Sequence, residues 1–202
     1  HYPLRRQRQM CIRDSDSSDL DLSAADRSKY IYLEGYLVTS PSARAAIIEL
    51  KRYAESQGVS TAMTFSDPSM LEYFRDNINE VLGTGVDLLF CNERELGLWA
   101  QTDDFEAAFT KAQGFAKKLV VTLGAKGALL FDGDRRIPIA PNAVNAIDTN
   151  GAGDMFAGAF LYGITNGMDF EAAGNLASLA SARVVSNSVS YTHLTLPTKR
   201  IV

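Results

Sequence analysis

The feature that most constrains the fold of this chain is a repeated order of short apolar segments, each followed by an amphipathic helical segment. Residues 30–36 have the pattern of a strand that ends at a glycine, and Ser40-Pro41 then opens a helix as N-cap and first-turn proline. Residues 60–65 form the next predicted strand, and Asp67-Pro68 then opens a second helix. The helical spacing of its apolar residues continues as far as Val81. Because neighbouring parallel strands need a crossover connection, this order predicts an α/β fold with a mostly parallel sheet flanked by helices.

The strand pattern continues beyond these two units and then changes. Residues 87–90 and 118–122 are predicted to be further strands of the same sheet. Two closely spaced strands follow at residues 128–131 and 136–140, joined by a turn rich in aspartate and glycine. In open α/β sheets ligands bind beyond the carboxyl ends of the strands, so residues that follow a strand are the first candidates for a site.

The segment IDTNGAGD, residues 147–154, carries the most specific chemical information in the chain. A glycine turn that leads into a helix directs several backbone N–H groups and the positive end of the helix dipole towards one place. Such a place suits a phosphate or a developing oxyanion. Asp154 would lie in the first turn, where it can accept a proton from an attacking hydroxyl group. A base beside an anion hole is what phosphoryl transfer requires, whereas a simple helix cap needs neither the paired acids nor both glycines.

This segment resembles the second signature of the PfkB family of ribokinase-like sugar and nucleoside kinases, Asp-Thr-x-Gly-Ala-Gly-Asp, and matches it at every fixed position. The resemblance implies a ribokinase-like fold. It also implies that Asp154 is the catalytic base and that Gly151, Ala152 and Gly153 line the anion hole. The chemistry implied is the ATP-dependent transfer of a phosphoryl group to a hydroxyl group of a nucleoside or a sugar.

Residues 148–150 of the same segment indicate a cation site and the class of substrate. The resemblance implies that Asp148, together with Asn150, helps to hold a monovalent cation such as K⁺. Asn150 stands at the variable position of the signature, and the wording Asp-Thr-Asn-Gly-Ala-Gly-Asp is most similar to that of adenosine kinases. Adenosine is therefore the favoured acceptor.

A second motif, Asn-Glu-Arg-Glu, directly follows the strand predicted at residues 87–90. Its first and last residues, Asn92 and Glu95, share one helix face, where an amide and a carboxylate can orient water around Mg²⁺. The family has an Asn-x-x-Glu motif at this place that acts on Mg²⁺ and phosphate, which implies the same role for these two residues. A solvated helix cap is the alternative reading of the four polar residues.

A third motif, Thr-Leu-Gly-Ala-Lys-Gly, follows the strand predicted at residues 118–122. It resembles the family's Thr-x-Gly-x-x-Gly nucleotide loop, which implies that Thr122 and Gly124, with Gly127, lie near the phosphates of ATP. A hairpin turn without a ligand explains the two glycines equally well. Asn175 matches a position where the family often has an asparagine near the adenine, although packing between helices would also explain it.

The two ends of the chain do not continue the pattern of its middle. Residues 1–15 and 190–202 lack helical or strand periodicity and look similar to adapter read-through, so we expect non-native tails. Residues 16–189 would then be the C-terminal, nucleotide-binding part of a ribokinase-like kinase domain, with the family's lid and first strands missing. We expect such a fragment to be inactive alone, with one sheet edge unpaired and with Ile31 and Leu33 partly uncovered.

Composition narrows the possible partners. Residues 1–13 hold four arginines and no acid, and the last fourteen residues add Lys199 and Arg200, again with no acid. The body is therefore more acidic than the net charge of −4, which argues against a nucleic-acid surface. No apolar run reaches the length of a membrane span. Cys11 and Cys91 match no metal or redox spacing, which favours the cytoplasm. The expected partner is a small nucleoside or sugar, and the family's lid implies a homodimer of the full-length protein.

Other enzyme classes fit the sequence less well. The Walker A pattern is absent, and the two histidines, His1 and His193, lie in the terminal segments. An oxidoreductase with a dinucleotide-binding turn at residues 151–153 is the remaining alternative. That turn requires a buried strand immediately before it, and residues 142–146 are too short and too polar to form one.

Overall fold

The computed structural model describes residues 20–186, within which six strands and eight α-helices are found. The predicted tails, residues 1–15 and 190–202, lie outside the described residues. The strands are β1 (Tyr30–Glu34), β2 (Ser60–Thr64), β3 (Val86–Asn92), β4 (Ala116–Thr122), β5 (Ala128–Phe131) and β6 (Arg136–Ile139). The helices are α1 (Leu22–Asp26), α2 (Pro41–Ser56), α3 (Pro68–Tyr73), α4 (Arg75–Leu82), α5 (Glu93–Ala100), α6 (Phe105–Gln113), α7 (Ala152–Thr165) and α8 (Phe170–Val185).

The six strands form one sheet in the order of the sequence, β1 to β6. The pairs β1–β2, β2–β3 and β3–β4 are parallel. Leu33 is opposite Met63, Met63 is opposite Leu89, and Leu89 is opposite Leu119, so one row of apolar side chains crosses the four strands. All four are fully buried, as a sheet covered by helices requires. The predicted α/β fold with a mostly parallel sheet is confirmed.

The expectation that β1 has partly uncovered apolar side chains is wrong. Ile31 is 7% exposed and Leu33 is 1% exposed, so both lie in the core. Side chains of a strand point to the two faces of the sheet rather than to its edge. Burial on the faces is therefore decided by the covering helices, and it is independent of whether the edge of β1 has a partner strand.

The helix starts that the sequence predicts are confirmed in detail. The Ser40 side chain accepts a hydrogen bond from the N–H of Ala43 at the start of α2, and Asp67 accepts one from Ser69 at the start of α3. Asp169 does the same for α8, where its side chain accepts from the N–H of Ala172. These caps satisfy amide groups that the helix itself leaves without partners.

The single helix predicted from Pro68 to Val81 is instead two helices, α3 and α4. Phe74, between them, has φ −130° and ψ 24°, which is not helical. Its N–H still donates to the carbonyl of Met70, and its carbonyl accepts from the N–H of Ile78. The helical spacing of apolar residues therefore continues across one distorted residue, and this is why the pattern did not reveal the break.

The chain divides into two compact units. Among the described residues, the first is 20–122 with Phe131–Arg136, and the second is Leu123–Leu130 with 137–186. In the first unit, helices pack on the sheet around buried residues such as Phe65, and Phe109 of α6 lies edge-on to Phe131 with ring centroids 6.5 Å apart. Within residues 20–186, every helix is too short or too polar to span a lipid bilayer.

The core of the second unit is the packing of α7 against α8. The rings of Phe160 and Phe170 meet edge to face with their centroids 4.9 Å apart. Gly163 allows close approach of the two helices, because a Cβ atom at this position would lie 2.9 Å from the Cβ of Ala173. This packing places the start of α7 beside the last turns of α8, since Ser181 of α8 is hydrogen-bonded to Ala152.

Candidate active site

In the first unit, Asn92 and Glu95 form a reciprocal capping box at the start of α5. The Asn92 side chain accepts a hydrogen bond from the Glu95 N–H over 2.8 Å. In return the Glu95 carboxylate accepts from the backbone N–H of Asn92 over 3.0 Å and from its side-chain amide over 2.7 Å. Asn92 is also the last residue of β3, so the strand places the pair at the carboxyl end of the sheet. The two residues of the predicted metal-side motif are therefore held together by direct contacts.

Burial makes the Glu95 carboxyl group unusual. The residue is only 5% exposed. Burial disfavours the charged form and raises the pKa of Glu95 from 4.5 to about 7, against the opposing effect of the Asn92 N–H and with a smaller contribution from the negative charge of Asp67. Burial also raises the pKa of the neighbouring Cys91 thiol, and the negative charge of Glu95 raises it further. This cysteine is therefore a buried core residue and not a nucleophile.

Thr122 ends the strand next to the capping box. It is the last residue of β4, and its Cα is the register partner of Asn92 in the parallel β3–β4 pair. The sheet thus brings together three of the predicted site residues, Asn92, Glu95 and Thr122, at the carboxyl ends of β3 and β4. Parallel pairing explains this, because equivalent ends of parallel strands lie side by side.

Among residues 20–186, no group of three or more His, Cys, Asp or Glu side chains is placed to hold a metal ion. The described part of the chain therefore contains no all-protein cage of these side chains. Mg²⁺ commonly keeps several waters and takes one or two carboxylates together with substrate phosphates. Glu95 fits this second arrangement, because an ionised carboxylate has about four lone-pair positions and the capping box uses two of them.

In the second unit, the residues of the predicted anion hole form the start of α7. Gly151 is the N-cap residue, with φ 75° and ψ 2°, and no side chain caps the helix. A left-handed conformation of this kind favours glycine. Helices α2, α5, α6 and α8, by contrast, each have an N-cap side chain that accepts hydrogen bonds from the first turn. The first turn of α7 therefore leaves its N-terminal end open to an external anion.

The space around this turn is also open. A Cβ atom built on Gly153 would have no heavy atom within 4 Å, and Asp154, in the same turn, is exposed. The Ala152 N–H is already used, because it donates to the Thr149 carbonyl over 3.2 Å. The donors for an anion would therefore be the N–H groups of Gly151, Gly153 and Asp154. The exposed Asp154 carboxylate beside them is accessible to a hydroxyl group. The second unit thus groups Gly151, Ala152, Gly153 and Asp154 as the signature predicts.

Both the backbone N–H and the side-chain carboxylate of Asp148 make hydrogen bonds. Its N–H donates to the carbonyl of Val185 over 3.2 Å, and one carboxylate oxygen accepts from the N–H of Asn150 over 2.9 Å. The second hydrogen bond is an Asx turn, which fixes the direction of the chain before Gly151. Asp148 is half-buried and Asn150 is exposed.

The predicted nucleotide loop is a short 3₁₀ helix, Gly124–Lys126, between β4 and β5. The Leu123 N–H donates to the carbonyl of Gly127 over 2.8 Å and closes the turn. Gly124 has φ 59° with open space around it, whereas the backbone at Gly127, with φ 93°, passes directly against the carbonyl of Ile139. The two glycines therefore differ: Gly124 is accessible to a ligand, and Gly127 is required by the packing of the backbone.

This difference predicts unequal costs of substitution. Gly127→Ala is expected to lower the free energy of unfolding by about 2 kcal/mol, because the new methyl group meets a carbonyl oxygen in a conformation that only glycine adopts easily. Gly124→Ala, the matched control, is expected to cost about 1 kcal/mol, for its backbone conformation alone. Urea unfolding followed by far-UV circular dichroism measures both values. Equal losses for the two variants would contradict the assignment of Gly127 to backbone packing.

Asn175 is exposed on α8, and its neighbours Ala173 and Gly174 are buried. Packing between helices therefore does not account for its side chain, and the predicted place near an adenine stays a prediction. The residues near the site that sequence reasoning missed are Ser178 and Ser181 of α8: Ser178 contacts the segment before α7, and Ser181 contacts Ala152, the first residue of α7. Their spacing of three was the only available signal, and it is common among small residues of any buried helix face.

Comparison with known proteins identifies the family of the chain. The profile of the pfkB family carbohydrate kinases matches residues 4–198. The chain is 27% identical to an adenosine kinase of Saccharomyces cerevisiae over 170 residues, which cover 77% of this chain and 49% of that protein. It is 35% identical to a cytidine kinase of Thermococcus kodakarensis over 130 residues, which cover 61% of this chain and 46% of that protein.

A solved structure gives the same result for the fold. The crystal structure of adenosine kinase from Sinorhizobium meliloti superposes with a TM-score of 0.82 at 33% identity, over 88% of this chain and 55% of that one. The chain thus spans about half the length of the curated relatives it matches.

Proposed function

Because the chain belongs to the pfkB family of carbohydrate kinases, we propose that the protein transfers the γ-phosphoryl group of ATP to a hydroxyl group of a nucleoside or sugar. The observation that carries this proposal is the start of α7, where an open helix N-terminus and an exposed carboxylate occur within one turn. Among reaction classes, phosphoryl transfer makes use of both features at once, because it needs a base for the hydroxyl and N–H donors for the negative charge.

In this mechanism Asp154 accepts the proton of the acceptor hydroxyl group as its oxygen attacks the γ-phosphorus, and the bond from phosphorus to the β-phosphate oxygen breaks to release ADP. Of the backbone N–H groups in residues 151–154, that of Ala152 donates to the Thr149 carbonyl, and those of Gly151, Gly153 and Asp154 would stabilise the negative charge that grows on the phosphoryl oxygens. Because these donors are part of a helix that is already formed, no reorganisation is needed when the charge develops. Gly151 and Gly153 leave room for the phosphate, since neither has a side chain.

Two cations complete the proposal. We assign Mg²⁺, with its water shell, to Asn92 and Glu95 of the first unit, and K⁺ to Asp148 and Asn150 of the second. Bound Mg²⁺ would neutralise charge on the phosphates of ATP. Glu95 contributes a carboxylate that Asn92 holds in one orientation, and Asp148 contributes the carboxylate oxygen that the Asx turn leaves available. Thr122 and Gly124 are proposed to contact the phosphates of ATP, and Asn175 to contact its adenine.

For the acceptor we propose a nucleoside, with adenosine first. The sequence of the motif around Asn150 supports adenosine, as does the similarity to two proteins named adenosine kinase. The likeness to a cytidine kinase supports the nucleoside class but another base. The oxidoreductase alternative has no support in the fold, because residues 140–149, which precede the glycine turn, contain no strand. A dinucleotide-binding turn must directly follow a buried strand.

The test combines binding and turnover. Calorimetric titration of the 202-residue chain with ATP is expected to give binding that depends on Mg²⁺, while titration with NADH gives none. ADP release is then measured with adenosine, cytidine, ribose and fructose in turn, for this chain and for a full-length relative. Preference for a nucleoside in the relative supports the proposal. Binding of NADH without Mg²⁺-dependent ATP binding would refute it.

A further inference from the structure

The segment that leads into α7, residues 140–151, has no regular secondary structure. Connections of this length, about 12 residues, are uncommon in compact domains. Its apolar side chains do not anchor it, because Ile147 is 62% exposed and Val144 is 45% exposed. With so little apolar burial, the position of this segment depends on its hydrogen bonds.

Helix α8 provides those hydrogen bonds from one face. Ser178, Ser181 and Val185 are separated by three and four residues, so they lie in line along the helix. The Ser178 hydroxyl accepts from the side-chain amide of Asn142 over 2.9 Å and donates to the carbonyl of Ala140 over 3.2 Å. Ser178 itself is buried, although both of its partners, Asn142 and Ala140, are exposed. These two hydrogen bonds hold the beginning of the segment.

The other two positions of this face hold the end of the segment. The Val185 carbonyl accepts from the N–H groups of Ile147, over 2.7 Å, and of Asp148, over 3.2 Å. The Ser181 hydroxyl donates to the carbonyl of Ala152 over 3.0 Å. Together, Ser178, Ser181 and Val185 form a clamp, and the bond from Ser181 is the one that reaches the helix turn carrying the anion hole.

Ala152 is a sensitive point for such a contact. It lies between Gly151 and Gly153, and glycine leaves the backbone more freedom than any other residue. No side chain caps this turn. Within the turn the Ala152 N–H donates to the Thr149 carbonyl over 3.2 Å, and the hydrogen bond from Ser181 to the Ala152 carbonyl ties the turn to α8.

We propose that Ser181 is a positioning residue, which holds the first turn of α7 so that its N–H groups and Asp154 keep the geometry needed for phosphoryl transfer. The role in catalysis rests on the function proposed above. The clamp itself does not, because its hydrogen bonds join residues of this chain only. Ser181 contacts neither ATP nor the acceptor in this proposal and acts only through the backbone of Ala152.

The test is amide hydrogen exchange of the 202-residue chain, followed by mass spectrometry. In Ser181→Ala, exchange of the Ala152 and Met155 amides, which donate to the carbonyls of Thr149 and Gly151, is expected to be about 5-fold faster, the usual effect of losing one hydrogen bond. Ser181→Thr keeps the hydroxyl group and is expected to restore the exchange rate to within about 2-fold. Ser186→Ala is the matched control, since the Ser186 hydroxyl donates to the Arg183 carbonyl within its own helix region.

Unchanged exchange of the Ala152 and Met155 amides in Ser181→Ala would overturn the clamp, as would equally faster exchange along the whole of α8, which would mean a general loss of stability. In a full-length relative with the equivalent change, kcat is expected to fall about 10-fold with little change in the KM for ATP, because misplacement affects the reacting groups more than binding. Unaltered kcat would overturn the role in catalysis. If the unmodified relative phosphorylates no acceptor, the proposed function fails, while the exchange result still decides whether the clamp exists.

Discussion

Replacement of Asp154 by asparagine is expected to lower the rate of phosphoryl transfer about 100-fold or more, the usual scale for loss of a general base. Asparagine has nearly the same shape, so the first turn of α7 is expected to keep its structure. Its amide cannot take up the proton of the acceptor hydroxyl group at neutral pH. The dissociation constant of ATP should stay within about threefold, because the N–H groups that face the phosphates belong to the backbone.

The measurement is ADP release at saturating ATP, together with ATP titration, for a full-length relative with the equivalent substitution. ATP titration of the 202-residue Asp154→Asn chain runs in parallel. The control is Asp134→Asn, which removes an exposed carboxylate in the turn between β5 and β6. A variant at position 154 with near-normal turnover would show that another group is the base. A loss of ATP affinity as large as the loss of turnover would show that Asp154 stabilises the fold or binds ATP instead.

Replacement of Glu95 by glutamine is expected to stabilise the chain at high pH and to change little at low pH. Burial raises the pKa of Glu95 from 4.5 to about 7. The folded chain therefore keeps a proton at pH values where the unfolded chain has already lost it. Stability falls as the pH rises through the window from 4.5 to about 7, and above that window the cost of the buried charge is complete. This difference in pKa corresponds to about 3 kcal/mol.

Glutamine avoids this cost because it has no proton to lose. Like the protonated acid, it keeps one acceptor oxygen for the Asn92 N–H and gives up the hydrogen bond that the ionised carboxylate accepts from the Asn92 side-chain amide. At pH 5 the two chains are expected to unfold within about 1 kcal/mol of each other. At pH 8.5 the Glu95→Gln chain is expected to be more stable by about 3 kcal/mol. Trp99, the single tryptophan, is buried in α5 and reports unfolding of this region by fluorescence.

The matched control for this pH effect is Glu93→Gln, which changes an exposed acid in the same first turn. A gain in stability at pH 8.5 as large in Glu93→Gln as in Glu95→Gln would show that the effect does not come from the burial of Glu95. A Glu95→Gln chain that is less stable than the unmodified chain at pH 8.5 would mean that the ionised carboxylate contributes more through the capping box than its burial costs.

Much of the site could be read from the sequence because its parts are local. The start of α7 at the glycine turn and the helix after Asn92 depend on residues within four positions of one another. Hydrogen bonds over such distances in sequence follow from residue type and spacing alone. The same holds for the caps at Ser40, Asp67 and Asp169, all of which are confirmed.

The tertiary structure decided what depends on residues that are far apart in the chain. The burial that raises the Glu95 pKa comes from elements packed around α5, and a polar motif at a helix start gives no sign of it. Gly127 must be glycine because of the Ile139 carbonyl, which belongs to another strand. Ser181 contacts Ala152 across 29 positions of sequence.

The physical reason for this division is the range of the interactions. The sequence by itself determined the α/β order, the helix caps and the turn that presents Asp154, because each of these is stabilised by its immediate neighbours. Only the tertiary structure decided which faces are buried, which glycine is constrained and which helix holds residues 140–151 in place. Those outcomes depend on packing between elements, and no local pattern of residue types encodes which elements will meet.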